Sequence, residues 1–371
     1  MNPIDELNLF LRPAGAGVYL VSSGRSAQLE LQKKIYGVES DAEVILAHAA
    51  AVQKIRSARA IVLGVPSDVG AGFLRGANMG PQGVRERLLE EEPSFFANMA
   101  ERGVVDIGDV IVVPQLLHDS MLSEEQLSAT RAELYPLLNP EERRELPASP
   151  LSISEKALDL IFQINPSVIP FVIGGDHSIA WAVSSALARR KFEALGIVQI
   201  DAHTDLLETR LGVKYCFATW SFHASKLLGD RSRMVQVGVR ATRFPREHWE
   251  KTVGVRQFWA SECLSRGAAA IDDIVAHLKS RGVKELYFSN DIDGTDSEFV
   301  DATGTPEPGG LAPDFVEELI ERLGAEFRIV AGDVMEVAPP IARTTGGAAK
   351  TLEVAAGYVR VTIGAALRSG P

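Results

Sequence analysis

Residues 195–205 read LGIVQIDAHTD: six residues, apolar except for Gln199, run straight into Asp201-Ala202-His203-Thr204-Asp205. An apolar run of that length, without polar alternation, suits a strand buried on both faces of a parallel sheet. Its continuation sets two carboxylates and an imidazole at the strand's carboxyl end. In an Asp-x-His-x-Asp run leaving a strand, alternate residues point the same way, so all three side chains can converge.

The same arrangement occurs twice more. Residues 168–173 (VIPFVI) lead into Gly174-Gly175-Asp176-His177-Ser178, and residues 285–289 (ELYFS) lead into Asn290-Asp291-Ile292-Asp293-Gly294-Thr295-Asp296. Further apolar runs lie at 59–64 (RAIVLG), 103–107 (GVVDI), 234–239 (MVQVGV) and 327–331 (FRIVA). Between them come helix-like segments at 154–164, opening on a serine able to cap it, and at 179–190, 271–281, 313–323 and 348–367. Strand and helix alternating in this way predict a parallel sheet covered on both faces. A closed barrel of eight such units is the competing architecture. In either, the chemistry belongs at the carboxyl ends of the strands.

Two segments stand outside the repeat. Residues 1–57 read as a mostly helical extension, and 114–149 as a polar, proline-punctuated insertion. The expected organisation is that extension followed by one catalytic domain over 58–371.

At 371 residues, with 46% hydrophobic and 23% charged residues, the chain has the ordinary make-up of a protein with a sizeable core. A net charge of −11 argues against nucleic-acid binding, which needs clustered Lys and Arg. It suits a cationic substrate through steering, or serves solubility alone. Cys216 and Cys263 are the two cysteines, too few for a disulfide framework, and point to a reducing cytoplasm. Met1 to Leu11 carry Asp5 and Glu6 in place of a basic start and an apolar run, so no secretory signal is expected. No apolar stretch approaches the length of a membrane span.

Any one strand-end Asp or His is ordinarily a cap or turn residue, and 290–296 alone would also serve as an oxygen-only calcium loop. Three clusters at the same end of one sheet are a different matter. Two imidazoles and four carboxylates suit two divalent cations, with some carboxylates bridging.

GGDHS, DAHTD and SNDIDGTD resemble the signature motifs of the ureohydrolase family: arginases, agmatinases, guanidinobutyrases and formiminoglutamases. GVPSDVGAGFLRGANMGPQGVR at 64–85, VDIGD at 105–109, QVGVR at 236–240, GTPEPGGL at 304–311 and GDVMEVAPP at 332–340 are similar to the family as well. The likeness runs from about residue 60 to 367. It implies the three-layer arginase–deacetylase α/β fold with a mainly parallel eight-stranded sheet. It implies one cation held by His177, Asp201, Asp205 and Asp291, and another by His203, Asp201, Asp291 and Asp293. Manganese is the metal implied, with nickel the alternative. Two cations lower the pKa of a shared water, and the hydroxide attacks the planar carbon of a guanidinium. By the same resemblance Glu336 takes two parallel N–H donors of that guanidinium, and Asp293 accepts the proton and passes it to the leaving amine. The expected reaction is hydrolysis of a linear amidine to urea and an amine, by a homo-oligomer (trimer or hexamer).

The chain departs from the family after DAHTD. Counting from Asp205, Phe217 falls where agmatinase-like members carry the histidine of a His-Gly-Thr triplet, while Thr219 keeps the threonine. Three readings stay open. His223 takes the missing role; or the substrate is a different guanidino or formimino compound, its pocket walled by Phe217 and Trp220; or the chain is a non-catalytic metal-binding or assembly relative. Cys216 lies close by, with no histidine partner to make it a nucleophile. Gly174-Gly175 is read as a sharp backbone turn beneath the cations.

Overall fold

Burial along the strands alternates between two cores. In β2 (Ala60–Val65) Ala60 and Val62 pack into one hydrophobic cluster, and Ile61, Leu63 and Val65 into the other. The same alternation runs through β4 (Ile169–Gly174), β5 (Leu195–Ile200) and β8 (Glu285–Asn290). Side chains of successive strand residues point to opposite faces, so a strand apolar throughout needs helices on both sides. The computed structural model describes residues 1–18, 24–72, 74–190 and 192–369 and has this layered form. Helices Pro3–Phe10, Pro150–Ile164 and Ala180–Arg189 cover one face, and Gly80–Glu91, Pro313–Glu326 and Gly347–Ser369 the other.

The remaining strands are β1 (Leu11–Arg12), β3 (Val104–Val110), β6 (Met234–Val239), β7 (Arg256–Trp259) and β9 (Arg328–Val334). Among the described residues they form one sheet in the order β1-β3-β2-β4-β9-β8-β5-β6-β7. Its edges are open, which rules out the barrel. Neighbours are parallel except β1, which runs antiparallel to β3. The sheet has nine strands where a mainly parallel sheet of eight is expected, because β1 adds an antiparallel edge to β2–β9. Two residues paired through backbone groups carry no apolar periodicity, so a sequence pattern has nothing to register.

The helix expected to open at Ser154 opens at Pro150. Proline suits the first helical turn, where its missing N–H costs nothing. Ser154 instead turns its hydroxyl back to Pro150 O at 2.7 Å. In the first 57 residues, Ile4, Leu7 and Phe10 enter the core, and the Gly15 N–H donates to Asp109 at 2.7 Å. Helices Glu124–Leu134 and Pro140–Arg143 lie within 114–149.

Topology fixes where the site lies. The chain passes from β4 to β5 and leaves a gap of two strands, which β8 and β9 fill later. β4, β9, β8 and β5 therefore stand side by side with their carboxyl ends at one edge.

Candidate metal centre

Six predicted residues meet at that edge. His177 follows β4, Asp201, His203 and Asp205 follow β5, and Asp291 and Asp293 follow β8. The Nδ1 atom of His177 lies 3.0 Å from Asp291, 3.3 Å from Asp201 and 3.6 Å from Asp205. That nitrogen is buried and has no hydrogen-bond partner. His203 Nδ1 lies 3.1 Å from Asp293 and 3.5 Å from Asp201. Asp201 stands in both groups, Oδ2 towards His177 and Oδ1 towards His203. Two sets of donor atoms are close enough to share an ion: His177, Asp201 and Asp205, and Asp201, His203 and Asp293. Asp291 adds Oδ2 on the His177 side, while its Oδ1 accepts the Asp293 N–H at 3.0 Å. Only His203 of the six opens noticeably to solvent, its side chain 27% exposed.

The electrostatics ask for added positive charge. Burial, then the charge of Asp201, pushes Asp205 well above the usual carboxylate range. Burial followed by Asp293 and Asp201 does the same to Asp291. Burial opposes ionisation of Asp201 too, but the neighbouring imidazoles of His177 and His203 hold it below the usual range. Burial works against the imidazolium of His203, yet Asp293 and Asp201 outweigh it and push it up to about 12. Divalent cations would replace those protons and satisfy the orphaned nitrogen of His177, so the residues present fit a pair of such ions.

A second set of residues, not singled out from sequence, orients these six. Gln199 Nε2 donates to Asp201 Oδ2 at 2.7 Å, and Ser221 and Gln236 fix Gln199 in turn. The other ring nitrogen of His177 meets Ser289 Oγ at 3.0 Å, and Ser289 donates to Asp333. Thr305 Oγ1 donates to Asp293 Oδ2 at 3.0 Å. Such partners fix ring orientation and ligand basicity. A signal for Gln199 was present, since a glutamine within an otherwise apolar run is out of place unless bonded.

Backbone strain marks two of the predicted residues. Asp205 has φ 52° and Glu336 φ 61°, in the left-handed region that non-glycine residues seldom occupy. The structure holds Glu336 through its N–H to Gly175 O at 2.8 Å and its Oε1, which accepts the His177 N–H at 2.9 Å. Burial, then Asp291 and Asp176, raises the Glu336 carboxyl well above its ordinary value. The chain bends at Gly175 directly after β4, where a sharp turn is expected, without a left-handed φ at either glycine. Their constraint is proximity: a Cβ would collide with Met335 Sδ at the first and with the Ser67 carbonyl at the second.

The Arginase family profile matches residues 58–364. The chain belongs to the arginase family. It is 29% identical to the guanidinobutyrase of Pseudomonas aeruginosa, over 81% of this chain and 85% of that one. It is 31% identical to the mitochondrial agmatinase of Gallus gallus, over 76% of this chain and 74% of that one. Among solved structures, the proclavaminate amidino hydrolase of Streptomyces clavuligerus superposes with a TM-score of 0.63 at 25% identity, covering 84% of this chain and 92% of that one. Arginase-family proteins are metal-dependent hydrolases of C–N bonds with a dinuclear divalent-metal site, and the chain is a ureohydrolase of guanidino compounds. Among the described residues no helix is long and apolar enough to cross a membrane.

Within this arginase-family site the residues after Asp205 fall into different places. Trp220 has no exposed surface; its indole N–H donates to Asp205 Oδ2 at 3.1 Å and its ring lies 4.6 Å from that of His177. It therefore packs on His177 and bonds Asp205, and, fully buried, it offers no surface to the expected aromatic wall. His223 packs against Trp181, Tyr215 and Phe222, with Nε2 on the Glu208 carbonyl at 2.9 Å. Burial lowers its pKa. Phe217 is half-buried, its N–H donating to Gly70 O at 3.0 Å and its ring lying against Gly72. Cys216 is buried, and Thr219 Oγ1 accepts its N–H at 2.9 Å.

Proposed function

We propose that His177, Asp201, Asp205 and Asp291 hold one divalent cation and His203, Asp201, Asp291 and Asp293 the other. Manganese is the proposed metal, with nickel accepted by the same donors. The reaction proposed is hydrolysis of a guanidino compound to urea and an amine. The observation that carries the reading is His177 Nδ1, buried, unpartnered and within 3.6 Å of three carboxylates.

Bound there, the cations supply an acidified water and polarise the substrate. The chain's own residues do the rest. Glu336 presents its carboxylate to two parallel N–H groups of the planar guanidinium, a bidentate match that sets the carbon over the site. Its Oε1 is already anchored by the His177 N–H, so the pose is fixed before substrate arrives. Asp293 receives the water's proton and delivers it to the departing amine. Its Oδ2 meets His203 Nδ1 and the Thr305 hydroxyl, and its Oδ1 accepts the Ala202 N–H at 3.1 Å. Phe217 excludes water and neither donates nor accepts a proton. A cytoplasmic homo-oligomer is the proposed working form.

Urea release from a panel of guanidino compounds, by protein loaded with manganese or nickel and with bound metal quantified, tests the reading. Urea from one compound, absent in Asp201→Ala, is expected. Two equivalents of bound metal without urea from any compound would sink it.

A further inference from the structure

The loop joining Asp205 to Trp220 carries a cation at its tip. Residues Arg210 to Val213 form a tight turn closed by two backbone hydrogen bonds of 2.9 Å, with Leu211 at φ 52° and Gly212 at φ 80°. Left-handed φ at both central positions is the geometry of a two-residue hairpin turn. The turn sends the Arg210 side chain back over the loop's return limb, where its Cζ stands 4.9 Å from the Phe217 ring centroid. The limb beneath it is fixed. Phe217 is bonded to Gly70, whose N–H is in turn held by Asp176 Oδ2 at 2.9 Å, next to His177.

Arg210 is exposed, and among the described residues no carboxylate pairs with it. The nearby Glu208 is engaged with Lys226 at 3.1 Å. A second loop cation, Lys214, lies 4.7 Å from the Tyr215 ring centroid. The loop thus leaves the acidic centre at Asp205 and sets unpaired positive charge beyond it, on a protein whose net charge is −11. A ligand long enough to reach from Asp205 to the loop would meet carboxylates at one end and guanidinium at the other.

We propose that Arg210, laid on Phe217, determines specificity for the far end of the substrate, and that this end is a carboxylate. The substrate class is an ω-guanidino carboxylic acid in preference to an ω-guanidino amine. This rests on the guanidino-hydrolase reading above. A guanidinium stacked on an aromatic face keeps its N–H edge free and loses little freedom when it binds a carboxylate in its own plane. An ammonium at the same place would face like charge and leave that fork unpaired. The aromatic ring at position 217 thereby gains a role, since it carries no proton but orients the residue that reads the tail.

A comparison of 4-guanidinobutanoate with (4-aminobutyl)guanidine on the metal-loaded protein, in wild type, Arg210→Gln, Arg210→Lys and Arg210→Glu, tests the proposal. Wild type is expected to favour the acid. Arg210→Gln should lose about 10- to 100-fold in kcat/KM for the acid, carried by KM, as expected for one charge-assisted pair. Arg210→Lys should recover part of the loss, and Arg210→Glu should move the preference towards the amine. Calorimetric titration with 4-aminobutanoate adds a readout independent of turnover, with binding in wild type and none in Arg210→Gln. A wild type that prefers the amine, or an acid-to-amine ratio unchanged in Arg210→Gln, overturns the proposal and leaves the hydrolase reading standing. No urea from either compound or from the wider panel overturns the hydrolase reading instead, and the titration then decides the role of Arg210 by itself.

Discussion

Among the described residues, the buried carboxylates beside β3 and those at the carboxyl edge of the sheet are solved differently. Beside β3, Arg85 bonds Asp106 at 2.7 and 3.0 Å and Asp109 at 2.5 Å. The Gly108 and Gly15 N–H groups complete the two carboxylates. At the carboxyl edge, His177 keeps an unpartnered nitrogen, and burial drives Asp205 and Asp291 above their ordinary range. One cluster carries its cation on a side chain; the other leaves the position to an ion from solution. Buried acids by themselves identify neither structure nor chemistry. Whether the chain supplies the counter-charge separates the two.

The largest effect that would break the comparison is on stability. Arg85→Met should cost about 3–5 kcal/mol, since it strands two buried carboxylates, and Asp106→Asn with Asp109→Asn should restore part of it. Chemical denaturation reads both; a neutral Arg85→Met would undo the contrast.

Metal should do for the second cluster what Arg85 does for the first. Saturation at 100 to 1,000 times Kd should stabilise by roughly 2.7–4.1 kcal/mol, seen as a raised Tm and reversed by chelation. Asp201→Ala should abolish the gain. A Tm indifferent to metal in the wild type would contradict the assignment.

Next comes the supporting indole. Trp220→Phe keeps the packing on His177 but removes the N–H bonded to Asp205. A loss of about 10- to 100-fold in metal affinity is expected, measured by competition with a chromophoric chelator. Unchanged affinity would reduce Trp220 to filler.

The smallest effect is a pH trend. In the metal-free protein Asp205, Asp291 and His203 all bind protons more tightly folded than unfolded. Stability should therefore decline as pH rises above the ordinary carboxylate range, and decline further between 6.5 and about 12 as His203 gives up its proton. With metal present the slope at neutral pH should flatten or reverse, because the ion needs those protons gone. Thermal melts from pH 5 to 9 with and without metal distinguish the two; identical slopes would count against the coupling.

The sequence made the edge of the sheet legible because its pattern is local. LGIVQI followed at once by DAHTD names strand and donors together, and the same holds for GGDHS and DIDGTD. What stayed hidden depends on tertiary neighbours. Trp220 reads as a pocket wall in the sequence, and its complete burial comes from packing against His177, 43 positions away by the two residue numbers. Ser289 and Asp333 lie on adjacent strands whose pairing no single run declares. The stacking of Arg210 on Phe217 follows from one hairpin turn, and β1 from backbone pairing alone.

The strand order has a consequence for how the chain is made. β4 and β5 leave the ribosome early, but the two strands that separate them, β8 and β9, come more than a hundred residues after β4, between 285 and 334. Until then β2 and β6 can cover only the outer edges of β4 and β5, the two edges that face each other have no permanent neighbours, and open strand edges invite wrong pairing. Chains halted before residue 285 are expected to be protease-sensitive and to retain no metal; a protected, metal-retaining fragment would show that the sheet closes by another route. The central strands of the finished molecule are thus among the last to be synthesised, and a truncated product is born without the middle of its sheet.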